Sequence, residues 1–203
     1  MALLDAVSRQ IILATASPRR IELFKLIHEH FATVESNIDE SAVSSTEPRE
    51  IVIELARRKV EKVSERYSDG ILIGADSIVV LGRDILGKPG SPEEARAMLQ
   101  QLSGRQHQVF TGLSVLLLPE KQRVDDFEAT TVRFKNLSPW EINRYIQIGN
   151  PFDKAGAYGI QNEAALFVES IQGCFYNVMG LPVARLFKIL NPFLDNFHGA
   201  RHD

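Results

Sequence analysis

The chain has 203 residues, of which 44% are hydrophobic and 24% charged, with a formal net charge of −3 and one cysteine, Cys174. That is enough chain for one sizeable core or two small lobes, and the acidic balance argues against a protein that coats nucleic acid or anionic membrane. A lone cysteine excludes an internal disulfide and a multi-cysteine metal site, and with no apolar run of bilayer length and no signal-peptide core the expected compartment is the cytoplasm.

Residues 11–14, Ile-Ile-Leu-Ala, read as a buried strand. Ser17 is placed to cap a following helix, with Pro18 as its first residue and helical spacing over residues 21–27. Arg19 and Arg20 then put two positive charges at the helix end that already carries roughly half a positive charge. An anion would relieve that misfit, so strand, turn and helix together read as a phosphate-binding arrangement. An extended piece over residues 31–36 leads into an acidic, small-residue loop, residues 37–47. A helix is expected from residue 48 to about 67, with Val52, Leu55, Ala56, Val60 and Val63 on one face.

Residues 71–80 form the most strand-like segment, followed by a turn at Gly82-Arg83-Asp84. Ser91-Pro92-Glu93-Glu94 has the capping-box pattern and opens a helix with Ala95, Met98, Leu99 and Leu102 inward. Residues 109–118 and 124–134 read as an antiparallel strand pair. Ser138-Pro139-Trp140-Glu141 repeats the capping box, and Gly149 is placed to end that helix. Residues 153–161 read as a glycine-containing loop, 165–169 as a short strand and 180–190 as a last amphipathic helix. Residues 1–10 and 192–203 are expected to be loose. Strands alternating with helices along residues 1–203, without repeats, predict a single α/β domain.

Asp76 interrupts the apolar run of residues 71–80, and a buried carboxylate is costly unless paired, hydrogen-bonded or metal-bound. It is either a site residue or a strand-end turn residue. Gly74, two positions earlier, suggests a close approach by a ligand. Lys59 projects from the apolar face of its helix, either snorkelling or aimed at a partner, whereas Arg57, Arg58 and Lys62 read as solvated. Lys88, held between Gly87 and Pro89, and the acids Asp39 and Glu40 add a cation and two carboxylates. His28, His30 and His107 have no partner pattern and no Ser-His-Asp set is visible, so an activated water is indicated rather than a covalent nucleophile. Cations with metal-holding carboxylates meet the requirement for binding and cleaving a polyphosphate.

The segments Ala14-Thr15-Ala16-Ser17-Pro18-Arg19-Arg20, Leu55-Ala56-Arg57-Arg58-Lys59, Gly74-Ala75-Asp76-Ser77, Gly87-Lys88-Pro89, Leu102-Ser103-Gly104-Arg105, Asp153–Gln161 and Val178–Pro182, in this order, resemble the Maf family of nucleotide pyrophosphatases. The resemblance spans residues 11–190. It implies an α/β fold with a long central mixed sheet flanked by helices, two-lobed with a cleft and related to inosine triphosphatases. It also implies a hydrolase that uses a divalent cation (Mg²⁺, Mn²⁺ or Co²⁺) to convert a nucleoside triphosphate to monophosphate and pyrophosphate. On this resemblance Asp76 is the catalytic carboxylate, and Ser17, Arg19, Arg20, Lys59 and Lys88 bind phosphate. The metal-site acids are Glu40, Asp39 and Asp76, with Glu40 favoured over Asp39.

Arg19, Ser77 and Gln161 occupy the positions that distinguish the family's branches. Arg19 and Gln161 match the branch preferring dTTP and UTP, while Ser77 stands where that branch has threonine. The alternatives are 7-methyl-GTP or modified pyrimidine triphosphates as substrates, or a nucleotide-binding regulator of septum formation. The expected partner is a small-molecule nucleotide, with no nucleic acid or membrane, and a homodimer is compatible with the family.

Overall fold

The computed structural model describes residues 9–40, 43–161 and 163–198, with side chains as far as Phe193. Most of the termini expected to be loose, residues 1–8 and 199–203, lie outside the described residues. In chain order the elements are β1 (Ile11–Leu13), α1 (Pro18–Phe24), β2 (Ala32–Thr33), α2 (Pro48–Ser64), β3 (Gly70–Leu81), β4 (Asp84–Leu86) and α3 (Pro92–Leu102). There follow β5 (Gln106–Leu118), β6 (Gln122–Phe134), α4 (Pro139–Ile148), β7 (Val168–Gln172), α5 (Phe175–Met179) and α6 (Val183–His198). The seven strands form one sheet in the order β2-β1-β3-β5-β6-β7, with β4 paired to β3. β1 runs parallel to β2 and β3, while β4 and β7 are antiparallel to β3 and β6. This mixed sheet flanked by helices is the fold class expected from the sequence.

Two compact units divide the chain: the described parts of 1–76, 111–128 and 180–203, and residues 77–110 with 129–179. In the first, helix α2 lies directly on the sheet. Leu72, Gly74 and Asp76 share one face of β3 because strand side chains alternate. Leu72 packs with Val60 and Val63. A Cβ on Gly74 would stand 2.5 Å from the Ala56 carbonyl oxygen and 2.7 Å from a Val60 methyl. Gly112 on β5 meets α2 in the same way, and a Cβ there would overlap the Val52 carbonyl. Gly74 therefore marks a close approach by a helix, which corrects the expectation of a ligand. The two glycines let the helix backbone come nearer than any side chain would permit.

The second unit has its own core around Phe134, Leu99, Leu102 and Val132, all fully buried. Against it lies His107, whose Nε2 is 2.7 Å from the Tyr158 hydroxyl and whose ring meets Phe134 edge-on. The sequence offered no partner for His107 because Tyr158 lies 51 residues away.

Several boundaries differ from expectation for local reasons. Ser17 sits at the N-cap of α1 in extended conformation, but its hydroxyl makes no capping bond; its N–H instead donates to Thr15 Oγ1 at 3.1 Å. Helix α1 ends at Phe24 and α2 at Ser64, each three residues early. Ser91 accepts from Glu94 N–H, but Glu94 reaches back to Gly90 N–H, so that capping box is only half formed, whereas the one at Ser138 and Glu141 is complete. Gly149 closes α4 at an ordinary negative φ, and glycine is needed there because a Cβ would strike the Tyr145 ring. β4 forms a hairpin with β3 through Gly82 at φ +65°, where only a turn was expected. The strand expected at 165–169 begins at Val168, placed by pairing with β6. Helix α6 continues past residue 190 through Pro192, with Phe193 buried beyond the proline. No helix of the described residues is long and apolar enough to cross a membrane.

Gly112→Ala is expected to lower unfolding stability by about 3 kcal/mol, because neither the strand nor the Val52 carbonyl has room to yield; an unchanged urea midpoint would show that α2 can back away. Burial pushes the His107 imidazole down to about 4. The unfolded chain takes up its proton near 6.5 and the folded chain only near 4, so stability is full above 6.5 and falls as pH drops toward 4. The loss should reach about 3 kcal/mol. Denaturation of wild type and His107→Phe at pH 7.5 and 4.5 checks this, the variant losing the His107 share of the acid sensitivity.

Candidate active site

The close seat of α2 decides where Lys59 goes. Ala56 touches β3 at Gly74, and one helical turn on, Lys59 emerges beside Asp76, two residues further along the same strand face. Lys59 Nζ donates to Asp76 Oδ1 and pairs with Glu40 Oε1 at 2.8 Å. The Lys59 and Asp76 side chains are each only 10% exposed, while Glu40, from the loop after β2, is half exposed. Lys59 thus points at a partner rather than snorkelling, and the Asp76 carboxylate is satisfied inside the sheet by a charge-assisted hydrogen bond. Of the two loop acids, Glu40 reaches the lysine; Asp39 lies exposed beside it.

Helix α1 brings Arg19 and Arg20 to the same unit. Arg20 Nε donates to the Gly180 carbonyl at 2.9 Å, and Gly180 holds φ +110°, a conformation that favours glycine. Burial pushes the Arg20 guanidinium below its ordinary value; Asp76 opposes this and Arg19 adds to it. The negative groups felt by Arg20 include Asp76 and Glu40, so part of the electrostatic misfit at this helix is met by the protein's own carboxylates. The acceptor role of Gly180 escaped the sequence reading; its place in the Val-Met-Gly-Leu-Pro segment was the available signal. Arg57, expected to be solvated, pairs with Asp125 at 2.7 Å and is only partly exposed.

Arg19, Arg20, Glu40, Lys59 and Asp76 therefore gather in one unit, with Ser17 at the start of α1. The second unit carries Ser77, half-buried on β3, and the exposed Lys88 and Gln161. Lys88 follows Gly87, whose carbonyl accepts from Gly156 N–H at 3.0 Å. That bond ties the lysine's loop to the segment leading to Gln161.

The donor chemistry near Lys59 suits a hard divalent cation. Glu40 and Asp76 offer carboxylate oxygens that already converge on one positive group. Among the described residues no group of three or more His, Cys, Asp or Glu side chains forms a cation site. A divalent ion held here would draw on these two carboxylates and complete its shell with water and phosphate oxygens, the habit of Mg²⁺.

Comparison with known proteins places the chain in a family. The Maf-like protein family profile matches residues 10–193. The chain is 46% identical to a dTTP/UTP pyrophosphatase of Carboxydothermus hydrogenoformans over 89% of this chain and 97% of that protein. It is 45% identical to one of Bacillus cereus, over 91% and 96%, and 46% identical to one of Symbiobacterium thermophilum, over 91% and 94%. Among solved structures, the Staphylococcus aureus Ham1 protein superposes with a TM-score of 0.50 at 15% identity, covering 93% of this chain and 99% of that one. At that identity the likeness concerns the fold alone, and it agrees with the fold class read from the sequence. With a profile match from residue 10 to 193 and relatives this similar along almost their whole length, the chain belongs to the Maf family.

Proposed function

We infer that this chain is a nucleoside triphosphate pyrophosphatase with a preference for dTTP and UTP, which it hydrolyses to the monophosphate and pyrophosphate as a house-cleaning activity. The observation that carries the reading is the buried Asp76–Lys59 pair with Glu40 alongside, in a chain about 45% identical to proteins named dTTP/UTP pyrophosphatase. A carboxylate placed in mid-strand at the expense of an apolar side chain is hard to justify by stability alone.

Asp76 acts as general base on water. The water oxygen attacks the α-phosphorus, its proton goes to the Asp76 carboxylate, and the bond to the bridging α–β oxygen breaks with pyrophosphate as leaving group. Lys59 holds Asp76 in the nucleotide-free protein and turns to the incoming phosphates, leaving the carboxylate for the water. Ser17, Arg19 and Arg20 bind phosphate oxygens, and the arginines offset the charge that builds up as the bond breaks. Lys88 is assigned to phosphate as well. Arg19, Ser77 and Gln161 set base preference, with the Gln161 amide able both to donate and to accept. Glu40 and Asp76, with Asp39 as the neighbouring acid, are the residues to hold a divalent cation, which when bound neutralises phosphate charge. The reading also carries a cytoplasmic location, a small-molecule nucleotide as partner and a homodimer as the form compatible with the family.

Two measurements check it. Asp76→Asn should fold, since Lys59 keeps Glu40 as partner, and should release pyrophosphate more slowly by on the order of 10²- to 10⁴-fold; turnover within a few-fold of wild type removes Asp76 from the base role. A panel of dTTP, UTP, 7-methyl-GTP and modified pyrimidine triphosphates, run with Mg²⁺, Mn²⁺, Co²⁺ and after EDTA, should give fastest release from dTTP and UTP and none without metal. Preference for 7-methyl-GTP would move the chain to the other branch. Nucleotide binding without release under any metal would make it a regulator.

A further inference from the structure

The segment from Asn150 to Gln161 contains a buried lysine that the reaction does not use. Lys154 is 7% exposed, and its ammonium donates to the Asn150 carbonyl at 2.6 Å and to Asp153 Oδ1 at 2.5 Å. Burying an ammonium is unfavourable unless it is paired in this way, and a well-packed apolar side chain is the cheaper occupant of such a place. The stem explains the choice better than the charge. A Cβ on Gly159 would stand 2.8 Å from Lys154 Cε and 3.0 Å from Cδ, so the lysine chain lies flat on the Gly159 backbone. The same point is 3.5 Å from Gln161 Oε1. The lysine stem and the glutamine amide oxygen therefore border the same small space, the one that residue 159 leaves open by carrying no side chain.

Further ties hold this stretch. The Tyr158 hydroxyl meets His107, Gly159 N–H donates to the Tyr145 hydroxyl at 3.3 Å, and Gly156 N–H donates to the Gly87 carbonyl. Gly156 stands at φ +67° with Val79 methyls packed against the space a Cβ would take. Residues 154–159 are held at almost every step, whereas Gln161 itself is exposed. An exposed amide discriminates between bases only if its backbone is held in place, because a displacement of about 1 Å loses the alignment of its hydrogen bonds.

We propose that Lys154 is a positioning residue for nucleotide specificity: its ammonium, anchored at Asn150 and Asp153, holds its stem against Gly159, and this contact sets the orientation of Gln161. The proposal rests on the assignment of Gln161 to base reading. Ligand selection then depends on a side chain that touches no nucleotide.

The test compares wild type, Lys154→Met, Gly159→Ala, Gln161→Ala and the Lys154→Met/Gln161→Ala double variant. Each is assayed for kcat and KM with dTTP and with GTP, alongside thermal melting. Lys154→Met should lower the dTTP-to-GTP ratio of kcat/KM at least tenfold, chiefly through KM for dTTP. Gly159→Ala, which displaces the stem while keeping the ammonium pair, should act in the same direction and serves if Lys154→Met does not fold. The ratio in the double variant should match that of Gln161→Ala alone, because the lysine acts through the glutamine. An unchanged ratio in a folded Lys154→Met, or an equal loss with and without Gln161, overturns the proposal. A Gln161→Ala ratio equal to wild type overturns it together with the base-reading role of Gln161, while pyrophosphate release from dTTP by wild type keeps the enzymatic reading apart from either outcome.

Discussion

Helix α2 rests on strands β3 and β5 at two points where the sheet offers no side chain, Gly74 and Gly112. That backbone-to-backbone approach sets the height of the helix above the sheet, and with it the reach of everything the helix carries. Val60 and Val63 close on Leu72, while Lys59, one turn beyond the Gly74 contact, arrives beside Asp76. A methyl group at either glycine would lift the helix, and an ammonium that now sits within hydrogen-bonding distance of a buried carboxylate would lose its place. The packing requirement and the chemical requirement of the first unit are one requirement.

Charge in that unit is arranged in excess of what folding needs. Lys59 serves two carboxylates, and Arg20, pushed below its ordinary range by burial, feels the same two. Desolvation makes such an arrangement costly, and the usual result is that buried ion pairs add little to stability. What it supplies is a set of groups able to change partners. Under the proposed function a triphosphate would offer anionic oxygens to Lys59, Arg19 and Arg20, and a divalent cation would take the place of the ammonium at Glu40 and Asp76. The observed pairs leave both carboxylates and the ammonium satisfied by one another.

The second unit solves a different problem with buried polar groups. His107, Tyr158, Tyr145 and Lys154 each spend a hydrogen bond on the 150–161 segment or its support. His107 is kept neutral by burial, so its contribution to the unit's stability falls as the pH drops below 6.5 and the unfolded chain gains the proton. These bonds hold a segment of little regular structure, two short helical turns of which the second contains the left-handed Gly156, in one conformation.

Four of the candidate residues were legible because they broke a local pattern, the others only through the ordered motifs. Asp76 interrupted an apolar strand, Lys59 stood on an apolar helix face and two arginines opened a helix. The β-strand period and the capping signals likewise located most elements, and the ordered motifs led to the family. Short elements were poorly legible: β7 owes its place to pairing with β6, and α6 passes a proline because Phe193 is buried beyond it. Partners were not legible at all, since they join residues far apart in the chain: Lys59 with Asp76 and Glu40, Arg20 with the Gly180 carbonyl, His107 with Tyr158. The glycines make the distinction clearest. By itself the sequence determined that Gly74 lay in a strand and Gly149 past a helix, but which neighbour each had to admit, a helix backbone or a tyrosine ring, was decided only when the chain packed, because the excluded volume at a Cα belongs to its neighbours and not to its own residue.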